Sequence, residues 1–189
     1  MYDVSNGSQA ALVVVHIQDS AHRYWLAYRH GEVSDGIQRL KFAINAAAGH
    51  GIPTIFLGLG EGSYRNFPTD LAEDLLSYDF LESANDGFIN NPDRPETLKG
   101  ILDGYCATDL VLAGAHRGAC VLLTARSAVK NGFKIHTSDQ LLFGYTGDFD
   151  PERKAQKVLE EYRTLGTVYE SVEDIVEKLF NAMVASKKA

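Results

Sequence analysis

The chain has 189 residues, 45% hydrophobic and 23% charged, with a formal net charge of −7. A single domain over residues 1–189 is expected, large enough to bury about 70% of the surface its unfolded form exposes without disulfides or structural metal. The acidic balance argues against nucleic acid as a partner. Two cysteines, Cys106 and Cys120, make no disulfide framework. The opening MYDVSNGSQA lacks the basic and apolar regions of a signal peptide, and no apolar run approaches the ~18 residues that cross a bilayer. A reduced, cytoplasmic chain with no membrane partner is the expectation.

Residues 11–17, Ala-Leu-Val-Val-Val-His-Ile, form an almost continuous apolar run rich in β-branched side chains, which suits a strand covered on both faces of a parallel sheet. Ile37, Leu40 and Ile44 then mark a helix that ends at Gly49 and Gly51, and 52–57 reads as a second strand. Residues 58–96, with four glycines and three prolines, read as irregular, and a stretch that long is usually functional. A third strand is expected at 109–114, a helix over 119–131, a weaker strand at 133–137, a helix opening at Pro151, a short strand at 166–169 and a last helix capped by Ser171. Strands alternating with helices predict an α/β fold, a three-layer α/β/α sandwich with a mainly parallel, doubly wound sheet.

In such sheets ligands bind outside the carboxyl ends of the strands. Three chemically capable residues fall there. His16 closes the first strand, Glu82 lies in the irregular stretch, and Cys120 stands six residues past Gly114 at the first turn of a helix. A thiol at a helix N-terminus meets free N–H groups and the positive end of the dipole, which favour thiolate and can hold an oxyanion. The same cysteine could be a small buried hydrophobe. Cys106 lacks this setting and reads as packing or incidental. The histidines show no HxH or HExxH spacing, so no metal site is expected.

The segment from Leu110 to Phe133, with Gly114-Ala-His-Arg-Gly-Ala-Cys120-Val and Thr124-Ala-Arg-Ser-Ala128, resembles the isochorismatase-like cysteine hydrolases, a family that includes nicotinamidases and N-carbamoylsarcosine amidase. The first strand, Gly51-Ile-Pro53, Ser138-Asp139 and the closing Gly166-Thr-Val-Tyr-Glu-Ser-Val-Glu-Asp-Ile175 extend the resemblance over nearly the whole chain. It implies a nucleophilic Cys120 in a triad with an Asp and a Lys, a cis peptide joining Ala115 to His116, no organic cofactor, a small-molecule substrate and a homo-oligomer. Two triad positions depart from the pattern: His16 stands for the Asp, and Glu82 falls at the Lys. The metal-binding Asp-x-His of nicotinamidases is also missing, which disfavours that activity.

The departures read in two ways. One is a rebuilt Cys–His–acid site, with His16 as base for Cys120 and Glu82 orienting it. The other is a decayed hydrolase whose pocket binds a small molecule without turning it over. Ala115, His116, Arg117, Trp25 and Phe88 are the expected oxyanion or substrate contacts. Arg117 could read a carboxylate or form an interface ion pair.

Overall fold

A computed structural model describes residues 10–17, 30–59, 71, 75, 78–83, 86–89, 97–143 and 151–186. The first strand, β1 (Ala10–Val15), is buried at all six positions, as its unbroken apolar sequence requires. Ala10, Leu12 and Val14 pack on one side against Ile37, Leu40 and Ile44 of helix α1 (His30–Gly49). Ala11, Val13 and Val15 pack on the other against Val121, Leu122 and Ala125 of α3 (Cys120–Lys130) and Tyr162 of α4 (Pro151–Leu165). Period-two alternation in a strand sends these two sets to opposite faces, and the helices that cover them make the three layers.

Four further strands, β2 (Thr54–Leu59), β4 (Asp109–Ala115), β5 (Lys134–Ser138) and β7 (Gly166–Tyr169), fall close to the expected runs. The β2 strand starts two residues late because Ile52 N–H closes α1 on Ala47 O and Pro53 has no N–H to give. The last helical stretch is α5 (Val172–Ile175), a π-helical turn (Val176–Phe180) and α6 (Asn181–Ser186). Ser171 caps it as expected, its hydroxyl accepting from Asp174 N–H at 3.1 Å.

The stretch read as irregular holds regular structure. Within it lies β3 (Asp79–Ser83), and just past its end lies α2 (Leu98–Gly104), capped by the Thr97 hydroxyl. Glu82 therefore sits on a strand, not in a loop. A two-residue β6 (Leu142–Phe143) continues the sheet beside the end of β4. Cys106 is exposed rather than packed, in the left-handed turn (φ 52) that follows α2.

The sheet runs β3-β2-β1-β4-β5-β7, parallel throughout, with β6 paired to β4. Chain order reverses between β1 and β4. Adjacent connections leave toward opposite faces there and open a crevice at the strand carboxyl ends.

Candidate functional site

The crevice is set by how closely β1 and β4 approach. Val15 pairs with Gly114, and a Cβ on Gly114 (φ +130) would lie 2.1 Å from Val15 O. Only glycine fits. Just beyond this contact both strands bend sharply, at His16 (φ 53) and His116 (φ 63). Left-handed backbone costs a non-glycine residue roughly 1–2 kcal/mol, and among side chains histidine is one of the few enriched there. Such a pair at a topological switch point marks a functional candidate. The expected cis bond between Ala115 and His116 is not present: every peptide among the described residues is trans, and the left-handed His116 makes the turn instead.

His16 is 1% exposed. Its N–H donates to Leu57 O (2.7 Å), which fixes the bend, and its Nε2 lies 3.1 Å from Ser83 Oγ. Ser83 closes β3 and is itself buried, with its hydroxyl toward Gly58 O at 3.5 Å. The preceding residue, Glu82, is buried at 4% exposure and stands beside Gly58 in the register. Leu81 packs in the same cluster as Cys120, whereas Phe80 packs against the opposite one. Alternation accordingly puts Ser83 on the Cys120 face and Glu82 on the other. Ser83 is the site residue that sequence reasoning missed. Its signal in the sequence is the polar pair Glu82-Ser83 that follows Phe80-Leu81, in which the charged member is the more conspicuous.

Cys120 is the first residue of α3, as expected, and 5% exposed. Burial pushes its thiol above the ordinary range, and the hydrogen bond from its own backbone N–H opposes this only in part. The expected bias to thiolate is thus reversed, because desolvation outweighs the helix terminus. Ala119 N–H and Val121 N–H both turn to His116 O (2.8 and 3.4 Å), so among these first-turn amides the Cys120 N–H is the one that meets the sulfur. At neutral pH the exposed Cys106 is expected to react with iodoacetamide before Cys120, whose labelling should rise only at alkaline pH; peptide mass spectrometry against pH checks the order.

The remaining expected contacts are spread around this centre. Ala115 is fully buried against Phe143 of β6. His116 is half-buried, and burial lowers its pKa below the usual imidazole value. Arg117 reaches away from β1 toward the end of β5, where its Nη1 meets Asp139 Oδ1 at 2.7 Å. The carboxylate it reads within the chain is therefore Asp139. Phe88 packs on Phe133, ring centroids 5.8 Å apart, with its N–H held by Asp86 Oδ1 (2.9 Å). That loop is tied to the helix that Cys120 opens: Gly87 N–H donates to Thr124 Oγ1 (3.0 Å), and the Thr124 hydroxyl donates to Cys120 O (2.9 Å). Ser127 adds a short hydrogen bond to Asp86. Trp25 lies outside the described residues.

Behind the turn, the buried Tyr162 donates its hydroxyl to Arg117 O at 2.8 Å. Burial raises that hydroxyl far above the phenol range, so it remains a donor at every working pH. Tyr162→Phe is expected to destabilise the fold by about 1 kcal/mol, read by urea denaturation.

Among the described residues, no group of three or more His, Cys, Asp or Glu is placed to hold a metal ion, and no helix is long and apolar enough to cross a membrane. No protein-family description and no curated protein matches the chain.

Solved structures do match. The MAR1 ribonuclease from Caenorhabditis elegans superposes with a TM-score of 0.69 at 18% identity, over 96% of this chain and 90% of that one. An isochorismatase-like hydrolase from Alkaliphilus metalliredigens gives 0.68 at 15% identity, over 90% and 98%. The nicotinamidase from Bacillus subtilis gives 0.64 at 18% identity, over 86% and 99%. The chain has the α/β fold of the isochorismatase-like hydrolases and nicotinamidases.

Proposed function

We propose that the protein is a cysteine hydrolase that cleaves a C–N bond of a small amide-like compound through a thioester on Cys120. The observation that carries the reading is the switch point itself. There a buried, left-handed His16 ends β1 beside the strand that leads into the buried Cys120. The hydrolase and the nicotinamidase that share the fold support the reaction class.

In this reading the resting thiol is neutral, as its burial favours. His16 takes the sulfur's proton as the sulfur attacks the substrate carbonyl carbon. The Cys120 N–H steadies the oxyanion. The imidazolium then protonates the leaving nitrogen, the C–N bond breaks, and the acyl group stays on sulfur. Water loses a proton to His16 and attacks the thioester. The acid departs, and the proton returns to the thiolate. Glu82, one strand beyond Gly58, is the acid of the rebuilt site in this reading. The chain's own groups account for every step, without an organic cofactor.

The test is a panel of small amides, ureas and carbamates, assayed for released ammonia or amine. At least one should be turned over, with kcat/KM falling about 10²–10⁴-fold in His16→Ala, the range for a general base. An unchanged rate in His16→Ala contradicts the role. The raised thiol also favours a second reading, a protein that binds a small molecule without cleaving it. Panel compounds that raise Tm but are never cleaved would support that one. A short RNA belongs in the panel because the MAR1 ribonuclease shares the fold, and the net charge of −7 argues for no cleavage of it.

A further inference from the structure

We infer that Ser83 is the positioning residue that sets the tautomer of His16, placing the ring proton on Nε2 and the basic lone pair on Nδ1. The geometry is a buried chain, His16 Nε2 to Ser83 Oγ at 3.1 Å and Ser83 Oγ to Gly58 O at 3.5 Å. Only one assignment makes both contacts hydrogen bonds: the carbonyl oxygen can only accept, so the serine proton goes to Gly58 O. The serine oxygen is then left to accept, and the group facing it must be a donor, Nε2–H. A neutral imidazole carries one ring proton, and with Nε2 protonated its lone pair is on Nδ1.

The surroundings hold this arrangement. Ser83 is 5% exposed and His16 1%. The register stations β3 two strands from β1, with Gly58 of β2 between them. The His16 backbone is locked by its own hydrogen bond to Leu57 O. With the backbone and one ring nitrogen both held, the ring cannot turn to exchange its nitrogens without breaking the chain. The sequence pointed to Glu82 as the residue that orients His16. The structure gives a contact on His16 Nε2 to its neighbour Ser83, which is neutral and lies on the Cys120 face.

The tautomer stands on the geometry alone; that Nδ1 then acts as the base rests on the hydrolase reading above. Long-range ¹H–¹⁵N correlation spectra of the ¹⁵N-labelled full chain test the first part without any substrate, with the His16 signals assigned through His16→Gln. The wild type should show a single His16 tautomer protonated at Nε2 under conditions where the ring is neutral. Ser83→Ala should give a mixture of tautomers, and Ser83→Thr, which keeps the hydroxyl, should restore the wild-type pattern. A wild-type ring protonated at Nδ1, or a Ser83→Ala spectrum identical to wild type, overturns the inference. Should Ser83→Ala not fold, the wild-type tautomer and Ser83→Thr decide the matter. With a turned-over compound in hand, kcat should fall about 10-fold or more in Ser83→Ala with KM held, since a mis-set base loses part of its 10²–10⁴-fold contribution. If no compound is cleaved while the tautomer is as stated, the hydrolase reading fails and the positioning stands.

Discussion

Cys120→Ser is expected to abolish turnover, by at least about 10³-fold, while leaving the fold intact. The substitution exchanges one buried atom at the start of α3, where Cys120 packs among Val121, Leu122 and Ala125. The backbone hydrogen bonds of the turn, Ala119 N–H to His116 O and Arg117 N–H to Phe143 O, do not involve the side chain. A hydroxyl is a far weaker nucleophile than a thiol when the base is tuned to sulfur, and removing the nucleophile of a covalent mechanism costs orders of magnitude. Turnover should therefore vanish with circular dichroism and melting behaviour preserved. Activity surviving in Cys120→Ser would end the covalent mechanism.

Gly114→Ala has the largest expected effect on stability, roughly 3 kcal/mol or more, and should remove activity as well. Its Cβ would lie 2.1 Å from Val15 O and 2.6 Å from Val15 N, atoms of the neighbouring strand's backbone that cannot move aside alone. The residue also holds φ +130, a conformation alanine rarely adopts. Relief requires β1 and β4 to part at the level of His16 and Ala115, which combines strain with lost packing. Gly49→Ala is the matched control: it lies at the end of α1 with nothing within 4 Å of the added Cβ, and should change stability by less than about 1 kcal/mol, on the stabilising side. Urea denaturation of both variants checks the contrast. A Gly114→Ala shift below about 0.5 kcal/mol would contradict the close approach.

The sheet's centre was legible because its strands are buried on both faces, and Val13-Val14-Val15 or Leu110-Val111-Leu112 has no other good place in a globular α/β domain. The edge strand β3 was not, since Asp79-Phe-Leu-Glu-Ser83 lacks both a continuous apolar run and clean alternation, and its partner Thr54–Leu59 is remote in sequence. Seven-residue α2 is too short for a helical period to repeat. At the site, the strand–turn–helix spacing from Gly114 placed Cys120 correctly on the first turn of α3. What local pattern could not carry was tertiary. The left-handed bends at His16 and His116 and the reach of His16 to Ser83 depend on how β1, β2, β3 and β4 lie side by side. The direction of the thiol shift was missed for the same reason, because a helix terminus can be read from sequence and the depth of burial around it cannot.

The most direct measurement of the central claim is mass spectrometry of the protein quenched during reaction with a compound it turns over. The account expects the acyl portion of that compound as added mass on the peptide carrying Cys120. The adduct should be absent from the Cys106 peptide and should disappear on treatment with hydroxylamine, which cleaves thioesters. Turnover with no adduct on Cys120 at any quench time, and with Cys120→Ala as active as wild type, would contradict it.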